Sequence, residues 1–196
     1  MAILSDLLEQ RVKLPEQYEK RSFESLEWFK QRLRVIRLDQ QDLMLDDDLK
    51  RETQAYPRLG EMYIYSYGAK WDKKLPYWDR FPVVIPYKYM SDGWYGINLH
   101  YIAPRYRVRL LDAMYGSIEI NETTGAFKRD ALSYERLISA TVFRYAKPCI
   151  KRYLISQLKS PLFQVPPKFW DMIALLPLQD FNINANTVYA KSRKQF

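Results

Sequence analysis

The chain has 196 residues, 47% of them hydrophobic, which suits one packed core with an appendage and excludes a disordered polyelectrolyte. Its single cysteine, Cys149, and single histidine, His100, exclude an internal disulfide framework and a zinc site built on Cys and His. The formal net charge of +8 favours acidic partners such as nucleic acid or an acidic protein.

Residues 1–55 are expected to form a helical arm. Its opening, MAILSDLLEQRVK, lacks the apolar core and cleavage signal of a secretory peptide. Leu26, Phe29, Leu33, Ile36 and Leu43 recur in steps of three and four, with one gap at Gln40, as in a heptad-like seam. Such a seam packs either on its own domain or on another subunit. From residue 60 the period changes to two. Met62, Ile64 and Ser66 fall on one side of a predicted strand and Tyr63, Tyr65 and Tyr67 on the other.

A polar connection over residues 68–74 leads to a second strand, Phe81 to Tyr87, in which Pro82 and Pro86 imply an edge or a bend. Ser91-Asp92-Gly93 signals a turn into a third strand, Trp94 to Tyr101. Pro104 opens a predicted helix with Leu110 and Leu111 on its buried side, and residues 130–146 read as another, ended by Pro148. Cys149 to Leu158 reads as helix or extended chain. Lys168 to Leu176 reads as a short helix with Trp170, Ile173 and Leu176 inward, and the chain beyond Phe181 as a weakly patterned tail. The expected fold is α+β: helical arm, small antiparallel, SH3-like sheet, and a helical C-terminal part, with residues 56–196 as the core.

No constellation makes an active site. His100 lies between Leu99 and Tyr101 in a predicted strand with no nucleophile motif beside it, and Cys149 reads as a buried thiol. Asp72 and Asp79 flank Trp71, Tyr77 and Trp78, a weak hint of a sugar hydrolase, but Lys70, Lys73, Lys74 and Arg80 offer them simple surface pairing. No P-loop or other phosphate-binding motif is present. The chain is therefore expected to be no enzyme and to need no cofactor or metal. Lys128, Arg129, Arg136, Arg144, Lys147, Lys151 and Arg152 accumulate with few acids between them and with Tyr134, Tyr145 and Tyr153 interleaved. That pattern suits either a sequence-neutral DNA surface or an interface to an acidic subunit. Tyr77, Trp78 and Trp94 in the sheet region are candidates for a protein interface, or for the cover of a small core.

Four segments together carry a resemblance: Ser25-Leu26-Glu27-Trp28-Phe29, Gly60-Glu61-Met62-Tyr63, Leu75 through Pro82, and Gly93 through Tyr101. With the ending Trp170-Asp171 through Leu176-Pro177 to Phe181, they resemble a family of small virion structural proteins of large contractile-tailed bacteriophages over roughly residues 22–196. Labels within that family include DNA end protector and baseplate hub component, and it supplies no catalytic residues to carry over. The resemblance implies a non-enzymatic structural subunit of the virion, in the tail, baseplate or head-to-tail region, with other virion proteins as partners. The alternative is a protein that binds phage double-stranded DNA and holds or protects the genome end. No membrane partner is expected, since no apolar run approaches the roughly 20 residues of a span.

Overall fold

The computed structural model describes residues 53–104 and 146–194, together with residues 44, 46, 47, 106, 107, 110, 111, 119, 120, 127 and 128. The seam residues Leu26, Phe29, Leu33 and Ile36 and the predicted helix 130–146 lie outside them, apart from Ala146 at its end.

Six strands form one antiparallel sheet: β1 (Thr53–Gln54), β2 (Met62–Ile64), β3 (Val83–Met90), β4 (Gly93–Asn98), β7 (Ile150–Leu154) and β8 (Leu162–Val165), in the order β1-β8-β2-β3-β4-β7. A two-residue ladder, β5 (Glu119–Ile120) with β6 (Phe127–Lys128), stands apart. The helices α1 (Trp170–Leu175) and α2 (Ala185–Arg193) are short. This corrects the expected fold class: the described residues are mainly a six-stranded antiparallel sheet, not a small sheet between a helical arm and a helical C-terminal part.

The tyrosine alternation in β2 survives intact. Met62 and Ile64 enter the larger core with Val83, Ile85, Ile97, Phe163 and Val165, while Tyr63, Tyr65 and Tyr67 join Val84, Trp94, Tyr153 and Leu162 in a second cluster. Period-two alternation sends successive side chains to opposite faces, so β2, β3, β4 and β8 feed both cores. Residues 104, 106, 107, 110 and 111 are helical as expected, and Leu110 and Leu111 are fully buried in the larger core with α1 and Val188 of α2.

The β3–β4 hairpin turns at the anticipated Asp92, and the ladder slips between Pro86 and Lys88. Pro86 thus marks a bend within an interior strand rather than an edge. The segment 149–158 resolves as β7 followed by a 3-10 turn at Ile155–Gln157. β7 pairs with β4, Leu158 bridges Tyr67, and β8 then pairs with β2. Residues 150–165 therefore run from one free edge of the β2–β3–β4 meander to the other and curl it towards closure. Gly93 makes the β4–β7 approach possible, since a Cβ there would stand 1.8 Å from the Tyr153 carbonyl oxygen. The expected loose tail is instead α2, capped by the Asn184 side chain, which accepts from the Asn186 N–H at 2.8 Å.

Candidate nucleic-acid interface

The loop after β2 returns to the end of β7. The Gly68 N–H donates to the Gln157 carbonyl at 3.0 Å, and the Lys159 N–H to that of Ser66 at 2.9 Å. Between this loop and β7 lies a cleft of about 410 Å³. That volume falls within the roughly 300–1,000 Å³ usual for ligand sites. Tyr67, Tyr101 and Tyr153 line its buried part, and Trp71, Leu75, Tyr77 and Trp78 its more open part. Trp71 is 56% exposed, and the ammonium groups of Lys70 and Lys74 lie 5.5 and 5.1 Å from its ring centroid.

Two predicted basic residues reach this cleft. Lys151 is half-buried, its Nζ 4.0 Å over the Tyr101 ring. Burial pulls its pKa below the usual value. No carboxylate pairs with it among the described residues. Arg152 grips Asp92 of the β3–β4 turn with two hydrogen bonds, 2.8 and 2.7 Å. Lys147 is exposed just before β7. Lys128 lies in β6, while Arg129, Arg136 and Arg144 fall outside the described residues. The run has a property beyond its count of cations: no acidic residue stands between Glu135 and Asp171.

Tyr77 and Trp78, expected at an interface, line the cleft half-buried. Trp94 is not at a surface. It is fully buried, 6.0 Å from Tyr65 and 6.2 Å from Tyr153 between ring centroids, because β4 is interior to the sheet.

Beneath the cleft lies a buried polar cluster. The Asp79 carboxylate accepts from Asn98 Nδ2 at 3.0 Å, the Phe81 N–H at 3.2 Å and the Asp180 N–H at 3.1 Å, and meets His100 Nδ1 at 2.7 Å. Burial opposes its charge, yet the His100 ring and these donors hold its pKa below the ordinary carboxylate value. Burial also lowers the His100 pKa, against the pull of Asp79. His100 Nε2 is buried with no partner, so the consistent state is a neutral ring donating from Nδ1 to an ionised Asp79. Asn98 also donates to the Tyr153 hydroxyl at 3.0 Å. The cluster is a bracket that joins β4, β7 and the chain around Asp180. Asp72, the other carboxylate of the sugar-hydrolase hint, is exposed. Cys149 is buried and its thiol pushed up to about 12, as an inert core group.

Arg107 is a second buried cation with a different role. It donates from Nε to the Ile102 carbonyl at 2.9 Å and from Nη1 to that of Ala174 at 3.0 Å. Its Nη2 reaches Gln179 Oε1 at 3.2 Å and the Tyr189 hydroxyl at 2.8 Å. The residue is fully buried and pins the helical cover together. Sequence reasoning missed this role, and also Trp71 as the exposed ring of the cleft. The signal for Trp71 was the interleaving of Lys70, Lys73 and Lys74 around a tryptophan.

Among the described residues no group of His, Cys, Asp and Glu is placed to hold a metal ion, and no helix is long and apolar enough to cross a membrane. The family model described as Phage T4 terminal DNA protecting protein matches residues 12–194. No curated protein and no solved structure gives a significant match. The matched description agrees with the DNA-end label within the resemblance drawn from residues 22–196.

Proposed function

The chain belongs to the phage T4 terminal DNA protecting protein family, and on that premise we propose that it binds the ends of phage double-stranded DNA and shields them. The observation that carries this reading to particular residues is the acid-free basic run. It places Lys151 and Arg152 on the outer strand β7, beside a cleft lined by aromatic rings, and Lys147 just before that strand. Cations that neutralise phosphates release counterions and supply sequence-neutral affinity. Aromatic rings add stacking that any base satisfies. Protection on this reading is occlusion, not chemistry: Asp79 and His100 are buried in their own hydrogen bonds, and their roles are structural. A protein seated on a genome end would travel in the virion.

The test is digestion of linear duplex DNA by a processive exonuclease, with and without the full chain. Protection that saturates with protein and weakens with salt is expected. Equal digestion in both samples would overturn the reading. Lys147→Gln with Lys151→Gln should lower the steepness of the salt dependence by about one unit for each lost phosphate contact.

A further inference from the structure

We infer that the cleft beside β7 holds an unpaired terminal nucleotide of a DNA strand, with its base on Trp71 and its phosphate at Lys151. This rests on the end-protecting reading and deepens it, since it says what at an end is recognised.

Three observations converge. Among the described residues Trp71 is the most exposed large hydrophobic side chain, and exposed Leu75 lines the same cleft. Lys151 is half-buried in the cleft without a carboxylate partner, whereas Arg152 is already paired with Asp92. Lys70 and Lys74 hold their ammonium groups over the Trp71 indole, and a base that takes their place on the ring leaves both cations free to meet its phosphates. A purely apolar ligand would use the rings and leave Lys151 unanswered. An inorganic anion would use the cations and leave the indole in water. A planar base joined to a phosphate uses both.

The nucleotide must be unpaired, because bases inside a duplex are stacked on their neighbours and present only their edges. Taking a base out of a duplex is costly, and least so where it is already unpaired. A site of this kind therefore discriminates an end from the interior of the same molecule without reading sequence.

The experiment is fluorescence anisotropy of the full chain with three labelled duplexes over a salt series. One has a short single-stranded overhang, one is blunt, and one is a covalently closed circle with no unpaired base. The expected order of affinity is overhang, then blunt, then closed. Trp71→Ala should weaken overhang binding by about 5- to 150-fold, the value of stacking one base, and leave the closed duplex unchanged. Trp71→Phe should restore part of the loss. Lys151→Gln should weaken overhang binding and flatten its salt dependence by about one unit. Because Trp71 lies mostly in solvent, its variants should keep the circular dichroism spectrum of the parent. If the parent prefers open ends and Trp71→Ala binds the overhang equally well, the cleft is not the nucleotide site, while end protection stands. If the parent binds closed and open duplexes alike, both readings fall.

Discussion

On one face of the sheet Met62, Ile64, Val83 and Ile85 lie under Leu110, Leu111 and α1. On the other, Tyr65, Tyr67, Trp94 and Tyr153 stack edge to face or in parallel, with Tyr63 in the same buried cluster. The first face buries hydrocarbon and is closed by helices. The second buries rings that carry hydroxyl and indole groups, and at its rim it opens into the cleft. The difference teaches that a strand buried on both sides can divide its labour: one side chain parity supplies stability, the other a graded passage from core to open cleft.

Large-to-small changes on the helical face should cost most. Phe169→Ala is expected to lose about 3–5 kcal/mol in urea denaturation, since the ring is fully buried and its removal leaves a cavity. A loss like that of a surface residue would show that this face carries less of the stability than its packing indicates.

Asp79→Ala should cost about 3 kcal/mol, because three buried donors and the half-buried Asp180 N–H lose their acceptor. The acid dependence has the same origin. His100 has a folded pKa below its unfolded value, so the unfolded chain binds more protons as pH falls below about 6.5. Stability is thus full above that pH and declines below it. Asp79, whose folded pKa is lowered, adds to the decline as pH falls further through the carboxylate range. The groups facing this ring are Asp79 and, at longer range, Arg107. His100→Asn should keep a donor for Asp79 and flatten the melting temperature between pH 5 and 7 relative to the parent. An unchanged slope would assign the acid sensitivity to other groups.

The tyrosine face can be resolved finely. Tyr153→Phe removes the hydroxyl that accepts from Asn98 and should cost about 1 kcal/mol. Tyr65→Phe removes a buried hydroxyl that interacts with the Trp94 indole N–H but forms no well-aligned hydrogen bond among the described residues, and should change stability by less than Tyr153→Phe or improve it. A larger loss at Tyr65 would reverse the ranking and point to a hidden partner.

Much of this division was legible in the sequence. The Met62/Tyr63 alternation, the Ser91-Asp92-Gly93 turn, the helix opened by Pro104 and the inward set of α1 all follow from local pattern. β7 was ambiguous because Ile150, Leu154, Ile155 and Leu158 fit helical spacing, and only pairing with β4 decides for the strand. α2 was hidden because Val188 is its only fully buried apolar residue. The cleft was half visible. Tyr77 and Trp78 were grouped as an interface and Lys151 and Arg152 as a basic surface, and nothing local says that residues some 75 positions apart share one pocket. Trp94 was misplaced because an aromatic on a strand has the same local signature whether it faces a partner or a core.

The path of residues 150–165 also sets an order in time. Strands β2, β3 and β4 can meet as soon as they are made, but the segment that joins the meander's two edges comes last. The contacts that shape the cleft, such as Gly68 with Gln157 and Ser66 with Lys159, join residues about 90 positions apart in sequence. Contacts so distant in sequence form slowly, because the intervening loop must close first. At a synthesis rate of about 5–20 residues per second, the loop bearing Trp71 waits roughly 4–17 s for β7 to be made. A nascent chain accordingly has no completed cleft until the whole sheet has been translated and closed.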